Sequence, residues 1–301
     1  MVTLNERPIE MGMSKDQTVA ERINSLFNDL TRAEHQLADK MMENYPASGL
    51  GSITTIAEAS GVSTPTVVRM SKKLGFKGFS ELQAALRLEV EARISNPISK
   101  HNRWAENAPD THVLNRFADA VMENMRQTLR QLDPDEFNAV TKLLADQQHA
   151  VHVVGGRITR SLADYFFTHM QMIRDDLTLV PSNSNSWPHY VLNMQPGDIL
   201  VAFDIRRYER DILRLAELAQ SKGVTLILFT DQWGSPAAKY ATHSFHCRIE
   251  APSAWDSSVV TLFIVESLVA AVQTENWDTT KERIKVLEDL FDHTKMFKKF
   301  T

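Results

Sequence analysis

The 301 residues are enough for two domains with separate cores, and 43% hydrophobic with 24% charged residues is the ordinary balance of a globular protein. A single cysteine, Cys247, excludes an internal disulfide framework and a cysteine-rich zinc site, and no apolar run approaches the ~18–20 residues needed to span a bilayer. The formal charge of −5 is unevenly spread: residues 1–100 hold twelve bases and twelve acids, so the whole excess of acid lies beyond them.

Residues 1–14 are weakly patterned, and the N-terminus has acidic residues and no apolar signal core, so a cytoplasmic protein without membrane attachment is expected. From Thr18 to Tyr45, Val19, Ile23, Leu26, Phe27, Leu30, Leu37, Met41 and Met42 follow helical spacing. They predict two helices, the second capped by Thr31 with Glu34 completing a capping box. Pro46, Gly49 and Gly51 interrupt the chain, and Ser52–Ala59 then reads as a short helix.

The stretch GVSTPTVVRMSKKLGFKGF, residues 61–79, follows. Gly61-Val62 makes a turn, Ser63 is a good N-cap, and Pro65 sits in the first turn of a helix, where a missing N–H does no harm. Val67, Val68, Met70 and Leu74 are expected to point into a helical core, leaving Ser63, Thr64, Thr66, Arg69, Lys72 and Lys73 outward. This is the second half of a helix-turn-helix. Short hydroxyls at the start and cations towards the end suit a helix inserted by its N-terminus into a major groove of double-stranded DNA. Ser63, Thr64 and Thr66 are candidates for the groove, Arg69 for a base or a phosphate, and Lys72, Lys73 and Lys77 for phosphates. A basic, well-capped surface helix would look similar. Ser80–Ile94 resumes as a helix, which completes an all-helical domain over residues 15–93. Pro97, Pro109 and many polar groups mark residues 94–112 as a linker, in which Trp104 either docks on a neighbouring surface or stands exposed.

Beyond the linker the pattern changes. Helices are expected over Val113–Leu132 and on to Asp146, followed by strands at Ala150–Val154, Leu177–Val180, Asp198–Phe203, Val224–Thr230 and, weaker, Ser244–Ile249. Helices at Arg160–Ile173, Arg207–Lys222 and Ala237–Tyr240 separate them. Strands rich in Val, Ile and Leu alternating with helices predict an α/β domain over residues 113–301, with a parallel sheet covered on both faces. Two helices close the chain, Ser257–Thr274 and Thr279–Asp292, and the first is apolar enough for a core or a dimer interface. The histidines at 149, 152, 243 and 246 flank strands and predict no metal site. Asp256-Ser257-Ser258 reads as a helix cap without a base to make a nucleophile, so no catalytic residue and no cofactor are expected.

Ile53-Thr54-Thr55-Ile56-Ala57, Gly61-Val62-Ser63, Thr66-Val67-Val68-Arg69 and Lys73-Leu74-Gly75-Phe76-Lys77-Gly78-Phe79-Ser80-Glu81-Leu82 together resemble the DNA-binding domain of RpiR-type transcriptional regulators. The resemblance implies that the α/β part is a sugar-isomerase (SIS) domain that senses a small molecule, often a phosphorylated sugar. It implies also a homodimer or homotetramer whose affinity for DNA the ligand changes. Two departures bear on the ligand. The SIS pattern Gly-x-Gly-x-Ser after the first strand is here Gly155-Gly156-Arg157-Ile158-Thr159. The family's Ser/Gly/Thr-rich phosphate loop after the strand ending at Phe203 is here Asp204-Ile205-Arg206-Arg207-Tyr208-Glu209-Arg210-Asp211.

In an open parallel sheet, ligands bind beyond the C-terminal ends of the strands. Loops there would gather Gly155, Gly156, Arg157, Thr159, Ser182, Asn183, Arg206, Arg207 and Tyr208. Arginines beside free backbone N–H groups favour a small anionic effector, a phosphate or a carboxylate. Alternatively, Arg157 and Arg206 pair with Asp204, Asp231 or Glu266 and close the pocket. Three functions follow: a ligand-responsive regulator on a palindromic operator, a DNA-binding protein whose second domain only dimerises, or a sugar-phosphate isomerase with Glu266 as its base. The replaced phosphate cradle disfavours the last.

Overall fold

A computed structural model of the chain describes residues 17–106 and 112–297. The expectation for residues 1–14 lies outside them. The chain divides into two compact units, Met1–Ala92 and Arg93–Thr301.

Five helices build the first unit: α1 (Val19–Ser25), α2 (Arg32–Met42), α3 (Ile53–Ala59), α4 (Thr64–Lys73) and α5 (Phe79–Ile94). Capping boxes open α1, through Thr18 and Glu21, and α2, through Thr31 and Glu34. Each box satisfies two backbone donors that a helix end otherwise leaves unpaired. Ile23, Leu37, Met70, Leu74 and Leu86 are 0–1% exposed and form the centre of the core. Each such side chain contributes about 1.5–3 kcal/mol by leaving water. The carboxylate of Glu89 on α5 accepts the Val19 N–H at 2.8 Å and the Tyr45 hydroxyl, which fixes the start of α1 against the unit's last helix.

The second unit begins at Arg93 and takes in the stretch expected as a linker. Residues 97–106 form a helix, α6 (Pro97–Glu106), while residues 107–111 of that stretch lie outside the described ones. Pro97 opens the helix rather than breaking the chain. The Asn96 side-chain oxygen accepts the N–H groups of Ile98 and Ser99 at 3.0 and 2.9 Å, an N-cap followed by proline in the first turn. Trp104, on this helix, is half-buried.

There follow α7 (Val113–Gln131), α8 (Pro134–Ala145), β1 (Val151–Gly155), α9 (Arg160–Met170), β2 (Leu177–Leu179), α10 (Trp187–Asn193), β3 (Ile199–Phe203), α11 (Arg210–Ser221), β4 (Thr225–Asp231), a 3-10 turn (Pro236–Tyr240), β5 (His243–Cys247), α12 (Val259–Glu275) and α13 (Trp277–Thr294). The five strands are parallel throughout and lie in the order β2-β1-β3-β4-β5. Alternate residues of each strand enter opposite cores. Val151, Val153, Val201, Phe203 and Phe229 pack with α8, α9 and α12, whereas Val154, Leu200, Ala202 and Leu228 pack with α10 and α11. Both faces are covered, which is why these strands read as continuous apolar runs. Arg174, 1% exposed, donates to the carbonyls of Leu144 and Asp146 at 2.8 Å each and so closes the end of α8.

The chain is thus an all-helical helix-turn-helix domain followed by an α/β domain. Among the described residues no single helix is long and apolar enough to cross a membrane. One side of α12 is buried in the core that it shares with α8, α9 and the sheet, with Val260, Ile264 and Leu268 at most 1% exposed, while Val259 and Phe263 stay exposed. Near the strand ends one helix starts later than expected and another was not expected at all. The helix after β3 starts at Arg210 rather than Arg207, because Arg206 and Arg207 adopt φ of +40° and +54°. Left-handed backbone cannot be continued into a right-handed helix. The helix α10, which the sequence pattern did not indicate, is seated by Trp187, whose indole N–H donates to Pro181 O at 2.6 Å.

Candidate functional site

In the first unit, α3 and α4 are joined by a tight turn in which the Val62 N–H donates to Ala57 O at 2.9 Å. Gly61 takes φ +64° there, a conformation that a side chain would strain even though open space surrounds the position. Val67, Met70 and Leu74 face the core at 0–1% exposure, so the opposite side of α4 is fixed as its outer face. Ser63, Arg69 and Lys72 are exposed on it, Thr64 is half-buried, and Lys77 is exposed in the turn between α4 and α5.

Two residues expected to face outwards do not serve as expected. Thr66 is only 4% exposed, and its hydroxyl takes the Arg69 guanidinium at 3.2 Å and meets the Ser63 hydroxyl at 3.0 Å. It therefore orients Arg69 and Ser63 instead of reaching outwards itself. Lys73 donates to Glu34 Oε2 at 3.0 Å and to Asp29 O at 2.6 Å. The acid that occupies it comes from α2, far away in sequence, and was invisible in the local basic run. Burial pushes the Glu34 carboxyl up, but the Thr31 N–H and Lys73 outweigh it and leave the pKa lowered. The stability that Glu34 adds is therefore present above the ordinary carboxylate pKa and lost as pH falls through its own.

A salt titration should separate the two lysines. Lys72→Ala should reduce the slope of log affinity for DNA against log salt by about 0.9. Lys73→Ala should leave that slope unchanged and lower the stability of the first unit by roughly 1 kcal/mol, since it removes a partner of Glu34.

In the second unit, the strand order places a switch point between β1 and β3, whose chains run on to opposite faces of the sheet. Gly155, which ends β1, is in register with Phe203, which ends β3, so the loops after them meet. A cavity of about 360 Å3 opens there. Gly156, Arg157, Thr159, Arg206 and Arg207 line it, as expected, together with Asp204 and Glu209 from the second loop. A smaller hollow of about 260 Å3 adjoins it, lined by Gly155, Ser182 and Arg160 among others, with Gly156, Arg157 and Glu209 common to both. Asn183 and Tyr208 line neither. Asn183 turns its side chain to the Asn185 N–H at 3.2 Å, and Tyr208 buries its hydroxyl against Asp231 at 2.7 Å.

Several expected ligand residues are engaged within the loops. The Thr159 hydroxyl accepts the Gly156 N–H at 2.8 Å and donates to Phe203 O at 2.7 Å, which bolts one loop to the other. Asp231 accepts the Arg206 N–H at 2.8 Å, the Trp233 N–H at 3.0 Å and the Tyr208 hydroxyl, and these bonds hold the left-handed Arg206 in place. The Arg206 guanidinium lies 4.8 Å from the Trp233 ring centre, donates to the Ser95 hydroxyl at 2.5 Å and stands 3.5 Å from Asp256. Of the acids expected to pair with Arg206, Asp231 takes its backbone N–H. Glu266 is held instead by the Tyr165 hydroxyl at 2.7 Å. Arg157 and Arg207 are exposed.

Three residues of the cavity were outside the expected set for identifiable reasons. Ser95 and Lys100 belong to the stretch expected as a linker and Asp256 to an expected helix cap, yet all three are in the wall. Lys100 is 2% exposed and donates to Trp255 O at 3.0 Å and to Asp256. The signal that could have found them is the Asn96-Pro97 pair, which starts a helix. Glu209 also had no assigned role. Its carboxylate accepts the Arg157 N–H at 2.6 Å, and a Cβ on Gly156 would come within 2.5 Å of the same oxygen.

Burial, with the Asp231 and Glu209 carboxylates nearby, pushes the Asp204 carboxyl up to about 6 against the pull of the Ser235 hydroxyl and the Glu209 N–H. A folded pKa above the unfolded one means that the folded state binds the extra proton. This group's contribution is therefore most favourable at low pH and declines as pH rises through about 6. Asp204→Asn should flatten the fall in stability between the ordinary carboxylate value of 3.8 and about 6, measured by urea unfolding of the second unit.

The sequence matches two domain families: the helix-turn-helix domain of the rpiR family over residues 17–93 and the SIS domain over residues 143–271. The chain belongs to the RpiR-type transcriptional regulators, which join these two domains. It is similar to the HTH-type transcriptional regulator HexR of Pseudomonas aeruginosa, 23% identical over 230 residues that cover 75% of this chain and 77% of the other. The sugar isomerase domain of an RpiR transcription factor from Sphaerobacter thermophilus has a TM-score of 0.54 at 21% identity, covering 58% of this chain and 97% of that one. The Vibrio vulnificus NanR protein, complexed with ManNAc-6P, has a TM-score of 0.52 at 18% identity, covering 91% of this chain and 99% of that one. These two structures share the fold. The helical unit is accordingly a DNA-binding domain, and the protein is a transcriptional regulator.

Proposed function

We propose that the SIS domain takes a small anionic metabolite, a sugar phosphate or an organic acid, into the cavity at the β1–β3 switch point and thereby alters operator binding. The observation that carries this reading is the cavity itself, about 360 Å3, with Arg157 and Arg207 exposed at its wall and Lys100 and Arg206 within it. The volume suits a metabolite of a few carbons. NanR, which shares the fold, was solved with ManNAc-6P, and this supports a phosphorylated compound as the first to try.

The DNA-binding residues are proposed as Ser63, Thr64, Arg69, Lys72 and Lys77, with Thr66 and Lys73 supporting them from within. A homodimer or homotetramer presents paired copies of α4 to a palindromic site whose half-sites lie about 10 bp, or a multiple, apart. Effector and DNA must then change each other's affinity by the same factor. Thermal-shift screening of sugar phosphates and organic acids tests the ligand. A hit should stabilise the second unit by about 2.7 kcal/mol at a concentration of 100 Kd, and Arg157→Ala with Arg207→Ala should reduce that gain. No stabilisation by any compound would leave the SIS domain as a dimerisation module.

That second reading is favoured by Glu209 and Asp256, which already accept from the Arg157 N–H and from Lys100, with Asp256 also 3.5 Å from Arg206. An isomerase is disfavoured. Glu266 is exposed, is bonded to Tyr165, and is not in the cavity wall.

A further inference from the structure

Both polar ends of the cavity already face a carboxylate of the chain itself. At the turn after β1, where backbone amides would hold a ligand's anion, Glu209 accepts the Arg157 N–H and packs over Gly156. An incoming oxyanion would have to sit beside that charge. At the wall formed by α6 and the loop before α12, Asp256 accepts from Lys100 and stands 3.5 Å from Arg206. Here two cations share one carboxylate. The cations are the fixed partners: the side chains of Lys100 and Arg206 are 2% and 8% exposed, that of Asp256 is 23% exposed, and Asp256 lies on irregular backbone between β5 and α12. Burial, with the nearby Arg206, draws the Lys100 pKa down, while Asp256 and the charge of Glu250 draw it back.

We propose that Lys100 and Arg206 form the oxyanion-binding pair of this cavity, with Asp256 as an internal counter-ion that the phosphate or carboxylate group of the effector replaces. The proposal rests on the reading of the cavity as an anion site. The effector's anionic end is directed to α6, and its hydroxyl or amino groups to Glu209, the reverse of the seating that a glycine-rich turn would impose. One anion takes the place of another beside the two cations, with charge unchanged for a carboxylate and more negative for a phosphate, and an arginine fork beside a lysine suits a tetrahedral or planar oxyanion.

A consequence follows for regulation. Only two residues, Ser95 and Asn96, separate α5 from α6, and both Lys100 on α6 and Ser95 between the helices are bonded to this cluster. Exchange at Asp256 therefore changes what holds the segment through which the DNA-binding domain continues into the SIS domain.

The test uses the full chain, with inorganic phosphate as the probe in isothermal titration and hydrogen exchange followed over residues 97–106. Asp256→Asn should bind phosphate about tenfold more tightly, because the competing charge is gone, and should speed exchange in α6. Lys100→Gln should bind about tenfold more weakly. If both variants bind as the unsubstituted protein does while Arg157→Ala with Arg207→Ala abolishes binding, the pair is not the site, although the anion reading stands. Absence of phosphate binding in every form, Asp256→Asn included, overturns both. Unchanged exchange in α6 overturns the link to regulation. Should Asp256→Asn fail to fold, Lys100→Gln decides alone: undiminished phosphate affinity overturns the pair.

Discussion

Arg69→Ala should weaken binding to the specific operator by about 10- to 100-fold and leave non-specific DNA binding within a few-fold of its original value. A bidentate arginine contact to a base is worth about 1–3 kcal/mol of discrimination, which is that range. The side chain is exposed on the outer face of α4, and Thr66 accepts one of its N–H groups at 3.2 Å, so the guanidinium is aimed before DNA arrives. Thr66→Val, which keeps the shape and removes the acceptor, should therefore give a smaller loss in the same direction. The operator is first recovered by genomic footprinting, and affinities are then compared on it and on scrambled duplex. Equal loss on both, with a salt slope lowered by about 0.9, would reassign Arg69 to a phosphate.

Phe203→Ala should destabilise the second unit by about 3–5 kcal/mol, the range for an aromatic ring lost from a core. The ring is 0% exposed, stacks on Phe229 with centroids 4.7 Å apart, and lies 6.3 Å from Phe166. Its backbone carbonyl takes the Thr159 hydroxyl and the Gly156 N–H, so a collapse around the vacated ring also displaces the cavity's two loops. In a unit of this size the melting transition should fall by roughly 6–20 °C. Two-unit proteins need not unfold in one step, so calorimetry should show the second unit's transition shifting while that of the helical unit stays in place. A shift of both together would show that the units unfold cooperatively.

The distance between these two predictions reflects how differently the two units were written in the chain. In the helical unit most determinants act within a few residues. The Thr31–Glu34 capping box, the turn at Gly61 and the proline in the first turn of α4 all require only neighbours, and they were legible in order. What was not legible came from outside the local window. Lys73 looked like a free cation until α2 placed Glu34 beside it, and Thr66 looked exposed until the pitch of α4 put it on the buried side.

In the α/β unit, apolar strands alternating with helices were enough to determine a parallel sheet covered on both faces, because burial on two sides leaves no room for a polar alternation. The departures from the family's glycine and hydroxyl loops were also plain in the sequence, and with them the absence of its usual phosphate cradle. Only the tertiary structure decided what those substitutions do. Arg206 is turned into left-handed backbone by an aspartate twenty-five residues later, Glu209 closes over a glycine of another loop, and Lys100 meets Asp256 across 156 positions of chain. Helix and strand formation are settled by short-range periodicity, whereas the partner of a buried charge is chosen by topology, which brings together residues that no local pattern connects.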